Sequence, residues 1–208
     1  PVDSFVPITL VASAQLVLLA NPSLPAKSIR ELVSVAKASP RKLNYGSSGT
    51  ASITHLAGEL LSSMAGIDIV HIPYKGMGQL LNDVIGGQIQ LAFTSLPAAL
   101  GQIKAKRVTA IAVTSTKRSS LLPEVPTVAE SGLTGYEVTN WYGILAPAGT
   151  PRNVVNRLSA DIAKIVAMPE VKREIANQGM EPFVNTVDEF AALMKTDLVK
   201  FAKIIKAA

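Results

Sequence analysis

The fold of this chain is decided by residues 43–59, which read LNYGSSGTASITHLAGE. The apolar start of the stretch is typical of the end of a strand, and the small residues after it permit a sharp turn that a ligand can approach closely. Ile53, Leu56 and Ala57 then recur at the spacing of one helix face. The stretch therefore predicts a strand, a short loop and a helix that begins near Ser52.

The head of that helix favours a negatively charged ligand. Unpaired backbone N–H groups and the positive end of the helix dipole point into the loop, and four hydroxyl side chains surround the same place: Ser47, Ser48, Thr50 and Ser52. A carboxylate or a phosphate suits such a loop, although the spacing is not that of a nucleotide P-loop or a dinucleotide site. A second interpretation stays open, in which glycine and serine only make a turn and cap the helix.

Composition narrows the class of protein. The chain has 208 residues, of which 48% are hydrophobic and 17% are charged, which supports a sizeable core and is unlike a disordered chain. Its net charge of +5 is not gathered into a basic block, so we expect no nucleic-acid partner. The absence of cysteine excludes a disulfide framework, a thiolate zinc site and a cysteine nucleophile. No apolar run reaches membrane-spanning length, and residues 1–5 do not resemble a signal peptide.

Strands and helices alternate from residue 16 to residue 113. Short apolar runs predict strands at residues 8–11, 16–20, 43–45, 69–72, 89–93 and 109–113. The first two runs lack the alternation of a half-exposed strand, so we expect them to be buried on both faces. The whole pattern predicts an α/β fold with an open, largely parallel sheet and helices on its faces.

In such a sheet, ligands bind beyond the carboxyl ends of the strands. Residues 46–52, 73–78 and 94–97 form the loops there, and they contain hydroxyls and one cation, Lys75, but no carboxylate. A site that is rich in donors and poor in acids favours a small organic anion. The predicted ligand-binding residues are Ser47, Ser48, Gly49, Thr50, Ser52, Lys75, Thr94 and Ser95.

Three further helices are predicted to begin at capping boxes, in which a serine or threonine precedes a glutamate by three residues. These pairs are Ser28 with Glu31, Thr127 with Glu130, and Thr186 with Glu189. Residues 135–147 predict an extended segment that carries the only tryptophan, Trp141. Trp141 and the following Tyr142 either close over a ligand or pack between two layers of structure, and the sequence leaves both possibilities open.

The sequence gives little support to catalysis. Neither His55 nor His71 has a partner at metal-ligand spacing, so we expect no metal site and no cofactor, and each ring is expected to be hydrogen-bonded locally. Ser47 or Ser48 is a conceivable nucleophile with His71 and Asp83, but the Gly-x-Ser-x-Gly elbow is absent. We expect binding without catalysis, and a serine-dependent hydrolase or lyase acting on a small carboxylate is the alternative.

Seven segments in order resemble the Bug (TctC) family, the substrate-binding proteins of tripartite tricarboxylate transporters. They are FVPITLVA (5–12), LNYGSSG (43–49), THLAGE (54–59), HIPYKG (71–76), AVTS (112–115), LPEVPTVAE (122–130) and WYGILAPAGTP (141–151). The resemblance implies a periplasmic binding protein of type II, with two α/β lobes, that captures a dicarboxylate or tricarboxylate for a membrane permease. Where the family usually has Gly-Ser, this chain has Ala51-Ser52, which keeps the hydroxyl.

The chain departs from the family at its start, where family members carry a further α/β segment with a glycine-rich loop. We therefore expect a truncated member with one complete, parallel-rich lobe at residues 18–115 and an incomplete second lobe from residues 1–17 and 116–208. Closure would occur by hinge motion near Ala20 and Ser115. An incomplete lobe implies an incomplete grip on the ligand and a free strand edge that favours a homo-oligomer. A sensor or interaction module without a transport ligand is a further alternative.

Overall fold

The computed structural model describes residues 2–207 of the chain, which form a mixed α/β fold and confirm the predicted class. The strands are β1 Phe5–Ala20, β2 Asn44–Ser47, β3 Val70–Pro73, β4 Leu91–Ser95, β5 Thr109–Val113, β6 Thr139–Pro147 and β7 Glu181–Pro182. The helices are α1 Ile29–Ala38, α2 Ile53–Ala65, α3 Met77–Gly86, α4 Leu96–Lys104, α5 Arg152–Ala167, α6 Pro169–Asn177 and α7 Val187–Ala207. Within the described residues, no helix combines the length and apolar character needed to cross a membrane.

The chain divides into two compact units. The larger unit comprises Gln15–Thr139 and the end of the chain from Ile204, and the smaller unit comprises the residues up to Ala14 together with Asn140–Lys203. Strand β1 contributes its first part to the smaller unit and its last part to the larger one. The predicted strands at 8–11 and 16–20 are therefore one continuous strand. The residues between them stay extended, because Ala12 and Ser13 pair with β7.

The larger unit contains a sheet in the order β3-β2-β4-β1-β5. Strand β2 runs parallel to β3 and to β4, whereas β1 runs antiparallel to β4 and β5. The expectation of a largely parallel sheet is thus correct only for the three strands at one side. The register pairs Leu16 with Ser95, so β1 enters the sheet at the edge where β4 ends and must run in the opposite direction.

Two apolar layers cover the faces of this sheet. On one face Leu18, Tyr45 and Phe93 pack with residues of α1 and α2. On the other face Val17 and Leu19 pack with residues of α3 and α4. The predicted burial of residues 16–20 on both faces is confirmed, since successive side chains of a strand point to opposite faces.

The larger unit continues to Thr139, beyond the predicted lobe boundary at Ser115. Tyr136 and Val138 are buried in its core, and the Val138 N–H donates to the Thr114 carbonyl at 2.9 Å. The packing of these two side chains keeps residues 116–139 with this unit, although their loop-like composition suggests a separate segment.

The helix predicted after Thr127 is not formed. The capping box itself is present, because the Glu130 N–H donates to Thr127 Oγ1 at 2.9 Å and the Thr127 N–H donates to Glu130 Oε2 at 3.0 Å. However, the Val128 N–H donates to the Val113 carbonyl, and Gly132 takes a φ of +110°, so the segment closes as a turn. The other two capping boxes precede α1 and α7, as predicted.

The smaller unit places β6 and β7 beside the first part of β1. Its core contains Ile8, Ala146, Val155 and Val187. The question left open for the tryptophan is decided in favour of packing: Trp141 lies edge-on to Phe190, with ring centroids 5.4 Å apart, and its indole N–H donates to Asp197 Oδ2 at 2.8 Å.

Candidate functional site

Three strands of the larger unit end at one edge of its sheet. Strands β3, β2 and β4 are neighbours and parallel, so the three predicted loops lie side by side. Each loop leads directly into a helix: α2 begins at Ile53, α3 at Met77 and α4 at Leu96. The first backbone N–H groups of a helix have no partner within that helix. This edge therefore collects the positive ends of three helix dipoles.

No acidic side chain at the start of these three helices compensates the positive dipole ends. In the described part of the chain, the first turns of α2, α3 and α4 contain no acidic residue. The first turns of α1, α6 and α7 do contain acids, namely Glu31, Glu170, and Asp188 with Glu189, whereas the first turn of α5 also has none. An acid at that position offsets the dipole, and the three helix starts at this edge all lack one.

The β2–α2 loop, residues 48–52, has a tightly defined shape. Gly49 has a φ of +124°, which glycine adopts without strain, whereas Ala51 has a φ of +62°, which is uncommon for a residue with a Cβ. Ser52 is the N-cap of α2, as predicted, and its Oγ accepts a hydrogen bond from the His55 N–H. The predicted strand–loop–helix is therefore confirmed, with β2 extended to Ser47.

Most amides of this loop already have an acceptor. The Ser48 N–H donates to Thr54 Oγ1 at 2.9 Å, and the Gly49 N–H donates to Ser47 Oγ at 3.2 Å. The Ala51 N–H donates to a ring nitrogen of His55, and the Ser52 N–H donates to the Gly49 carbonyl. The amides of Ser48, Gly49 and Ser52 are therefore not open donors, as a simple cradle would require.

Three amides in and just after the loop have no acceptor among the described residues. They belong to Thr50, to the half-buried Ile53 and to Thr54, which is buried. Thr50 is an exposed member of the predicted set. Ile53 and Thr54 were not among the predicted ligand-binding residues, although the unpaired N–H groups of a first helical turn are the signal that identifies them.

The other predicted residues divide between the two faces of the sheet. Register pairs Ser95 with Leu16 and Thr94 with Val17, so Ser95 shares a face with Tyr45 and Ser47, whereas Thr94 lies on the opposite face. Ser95 is the half-buried N-cap of α4 and makes no side-chain capping bond. Lys75 is exposed next to Gly76, the N-cap of α3.

Two buried polar atoms on the Thr94 face lack a partner. Within the described residues, these atoms are Thr94 Oγ1 and Gln15 Oε1. Gln15 precedes Val17 by two residues on β1 and therefore shares its face. Leaving a polar atom buried without a hydrogen bond costs about 1–3 kcal/mol. Gln15 was missed in the sequence analysis, where one amide side chain within a long apolar run was the available signal.

A cluster of ionisable side chains lies beneath the β2–α2 loop. Tyr45 donates its hydroxyl hydrogen to Glu59 Oε1 at 2.5 Å, and the same oxygen lies 3.4 Å from His55 Nε2. The rings of His55 and His71 stack with centroids 3.9 Å apart, and His71 Nε2 lies 2.6 Å from Ser47 Oγ. Both rings are hydrogen-bonded locally, as expected. Burial, followed by the proximity of His55, lowers the pKa of His71 to about 4.

The contact between Ser47 and His71 has the distance of a nucleophile–base pair, but the rest of a triad is not assembled. Ser47 is fully buried, and its Oγ also lies 3.1 Å from the Gly49 carbonyl. Asp83, the predicted third member, instead accepts a hydrogen bond from the Tyr74 hydroxyl at 2.8 Å. Within residues 2–207, no group of three or more histidine or carboxylate side chains is arranged to hold a metal ion.

Comparisons with known proteins give a consistent result. A family model described as “Tripartite tricarboxylate transporter family receptor” matches residues 1–208. A curated relative from Pseudomonas sp. (strain P51), described as a UPF0065 protein in the tcbD-tcbE intergenic region, is 37% identical over 97% of this chain. The match covers 60% of that relative, so the chain spans less than two thirds of its length.

Solved structures agree with the family model. The structure described as “R. palustris Rpa4515 with adipate” is 32% identical to this chain, has a TM-score of 0.83, and is matched over 98% of this chain and 68% of its own. The periplasmic binding protein BugD is 32% identical with a TM-score of 0.79, and the match covers 98% of this chain and 69% of BugD.

Proposed function

The chain belongs to the Bug family of tripartite tricarboxylate transporter receptors, and from that membership we propose that it binds a small dicarboxylate in the periplasm and presents it, unchanged, to a membrane permease. The observation that carries the proposal is the convergence of the N-termini of α2, α3 and α4, without acidic residues in their first turns, at one edge of the sheet. A relative 32% identical to this chain has been solved with adipate, which supports a dicarboxylate as the class of ligand.

The carboxylate is expected to lie at the head of α2. Each helix N-terminus is equivalent to roughly half a positive charge, so three of them attract an anion without any ion pair. The open amides of Thr50, Ile53 and Thr54 would donate to the carboxylate oxygens, joined by the exposed hydroxyls of Ser48 and Thr50. Hydrogen bonds to a charged acceptor are worth about 1.5–3 kcal/mol each.

The remaining predicted residues either hold the shape of the loop or would contact the ligand from neighbouring loops. Ser47 and Ser52 hold the loop, because both hydroxyls bond to the Gly49 carbonyl, and Gly49 supplies the left-handed turn. Lys75 and Ser95 would contribute from the neighbouring loops on either side of β2. Thr94 requires a partner for its buried hydroxyl, which a ligand oxygen or a bound water would supply.

Nuclear magnetic resonance can test which amides bind the carboxylate, because the amide chemical shifts respond even to weak binding. Adipate should shift the amide signals of Thr50, Ile53 and Thr54, and adipamide, which has the same length but no charge, should not. Thr50→Ala and Ser95→Ala should weaken the response to adipate, whereas Ser63→Ala, on the exposed side of α2, is the matched control. Equal responses to adipate and adipamide, or shifts confined to other parts of the chain, would exclude the proposal.

A hydrolase is the second candidate, and the specific observation in its favour is the 2.6 Å contact between Ser47 and His71. Burial of Ser47 and the engagement of Asp83 by Tyr74 argue against it. Incubation with p-nitrophenyl acetate distinguishes the two functions. We expect no turnover by the wild-type chain, and turnover that disappears in Ser47→Ala and survives in Ser63→Ala would support the hydrolase instead.

A further inference from the structure

We propose that His55 and His71 are positioning residues that hold the β2–α2 loop in its anion-binding shape, and that His55 does so by accepting a backbone hydrogen bond. The inference rests on the proposed function, because the shape matters through the ligand that the loop binds. Each ring acts on the backbone or on a hydroxyl at one end of the loop.

The two rings hold the loop from opposite ends. At its start, His71 Nε2 lies 2.6 Å from Ser47 Oγ, which in turn accepts the Gly49 N–H. At its end, His55 Nδ1 accepts the Ala51 N–H at 3.1 Å. The rings stack on each other at 3.9 Å, so a displacement of one ring disturbs the other contact.

The contact with Ala51 fixes the protonation of His55. A ring nitrogen that accepts from a backbone N–H carries no proton, so the neutral His55 ring has its hydrogen on Nε2. That nitrogen faces Glu59 Oε1 at 3.4 Å. Without the acceptor at Nδ1, the Ala51 N–H would lose this partner.

Loss of this contact matters because Ala51 is strained. Its φ of +62° lies in the left-handed region, which is strained for a residue with a Cβ. The hydrogen bond from its N–H to His55 Nδ1 holds it there. Without it, Ala51 is expected to relax, and the neighbouring open amide of Thr50 would move away from the position that receives the carboxylate.

The groups around the two rings set the electrostatics. Glu59 on α2 faces His55, and Tyr45 on β2 donates to Glu59 while its ring packs against both histidines. The buried hydroxyl of Tyr136 donates to the Ala57 carbonyl in the next turn of α2. Glu59 is the one carboxylate that contacts this cluster among the described residues. Burial, followed by the proximity of His55, holds the pKa of His71 below its ordinary value, so the His71 ring is neutral near neutral pH.

Substitutions can separate the acceptor from the ring. His55→Asn keeps an acceptor oxygen close to the position of Nδ1, whereas His55→Phe keeps a stacked ring and removes the acceptor. Ala51→Gly removes the strain, because glycine adopts a positive φ freely. The double variant His55→Phe with Ala51→Gly should therefore recover the affinity for adipate that His55→Phe loses, although the amide of residue 51 stays without its acceptor. Such recovery would show that the phenylalanine variant fails through the loop and not through the core.

The experiment measures amide hydrogen exchange of Ala51 and the signal shifts caused by adipate, both at pH 7.5. In His55→Phe, we expect the protection factor of Ala51 and the affinity for adipate each to fall by about tenfold relative to the wild type, the equivalent of one lost hydrogen bond. His55→Asn, which keeps the acceptor, should retain both values.

The outcomes separate this inference from the proposed function. If Ala51 behaves as expected but adipate shifts no signal in any variant, the positioning role stands and the proposed function fails. If adipate binds but Ala51 is unprotected in the folded wild type, or His55→Phe binds adipate as tightly as the wild type, the inference is overturned and the function stands.

Discussion

The hydroxyl of Tyr45 lies 2.5 Å from Glu59 Oε1, which links the second strand of the larger unit to the helix that follows it. Tyr45 is fully buried, and both its burial and the neighbouring carboxylate raise the pKa of its hydroxyl. The hydroxyl therefore remains a donor at all ordinary pH values. Through Glu59 the contact reaches His55, and through His55 it reaches the backbone of the β2–α2 loop.

Removing that hydroxyl should lower stability. In Tyr45→Phe, the half-buried carboxylate of Glu59 loses its donor, and we expect the free energy of unfolding to fall by about 1–3 kcal/mol. Urea denaturation followed by circular dichroism measures the change. Tyr142→Phe is the control, because Tyr142 is 43% exposed. Equal midpoints for the two variants would show that the contact contributes nothing to stability.

Because Tyr45 packs tightly against α2, we predict that replacing two helix glycines by alanine changes the free energy of unfolding in opposite directions. A Cβ on Gly58 would lie 2.2 Å from the Tyr45 ring, whereas a Cβ on Gly101, inside α4, would meet nothing within 4 Å. Alanine normally stabilises a helix by about 1 kcal/mol relative to glycine. We expect that gain for Gly101→Ala, and a loss of about 1–3 kcal/mol for Gly58→Ala because of overpacking.

Thermal unfolding of the two glycine variants, measured at one protein concentration, provides the comparison. The melting temperature should rise for Gly101→Ala and fall for Gly58→Ala. A rise for both would mean that Tyr45 can move aside without cost, and the rigid contact between β2 and α2 described above would then be wrong.

Stability should depend on pH through His71. Its pKa is lowered to about 4 in the folded chain, from an ordinary value near 6.5. Between pH 4 and pH 6.5 the unfolded chain binds more protons at His71 than the folded chain does, so the free energy of unfolding rises with pH. The contribution of His71 to stability is fully present above pH 6.5 and is lost as the pH falls through 4. Because the ring is only partly buried, we expect a contribution of about 1–2 kcal/mol, less than the full shift implies.

The His71 contribution can be isolated by substitution. Carboxylates whose pKa is lowered in the folded chain, such as those of Glu130 and Glu189, also make the fold less stable at low pH. His71→Gln keeps a polar atom near Ser47 but has no proton to gain. The stability difference between wild type and His71→Gln should therefore change between pH 6.5 and pH 4.5. A difference that stays constant across this window would assign the pH dependence to other groups.

Much of the architecture follows from local signals that the sequence contains. The apolar run at residues 16–20 is buried on both faces because nothing in it can face water, and Ser52 caps α2 because its hydroxyl satisfies an amide of the first turn. Such signals do not show in which direction a strand runs relative to its neighbours in the sheet. Nothing in Leu16 or Leu18 shows that β1 runs antiparallel to its neighbours, which is set by where the chain enters the sheet.

The candidate site was less predictable because its contacts are not local. The stacking of His55 and His71 joins a helix to a strand, and no spacing rule marks it. The acceptor role of His55 for Ala51 depends on a positive φ that a sequence without glycine at that position does not suggest. The face occupied by Thr94 depends on the exact end of β4, which includes two residues that the sequence placed in a loop.

The free edge of the smaller unit gives a prediction about association. Strand β6 pairs with β1 among the described residues, and it exposes Tyr142 and Ile144 at 43% and 39%. An edge strand with exposed apolar side chains is a template for pairing with another chain. We therefore expect light scattering to show an average mass that rises with protein concentration. Ile144→Lys should suppress this rise, because a charge on an edge opposes pairing, whereas Val199→Lys, at an exposed apolar position on α7, should not. A strict monomer at high concentration, or equal suppression by both lysines, would show that β6 is not the associating edge.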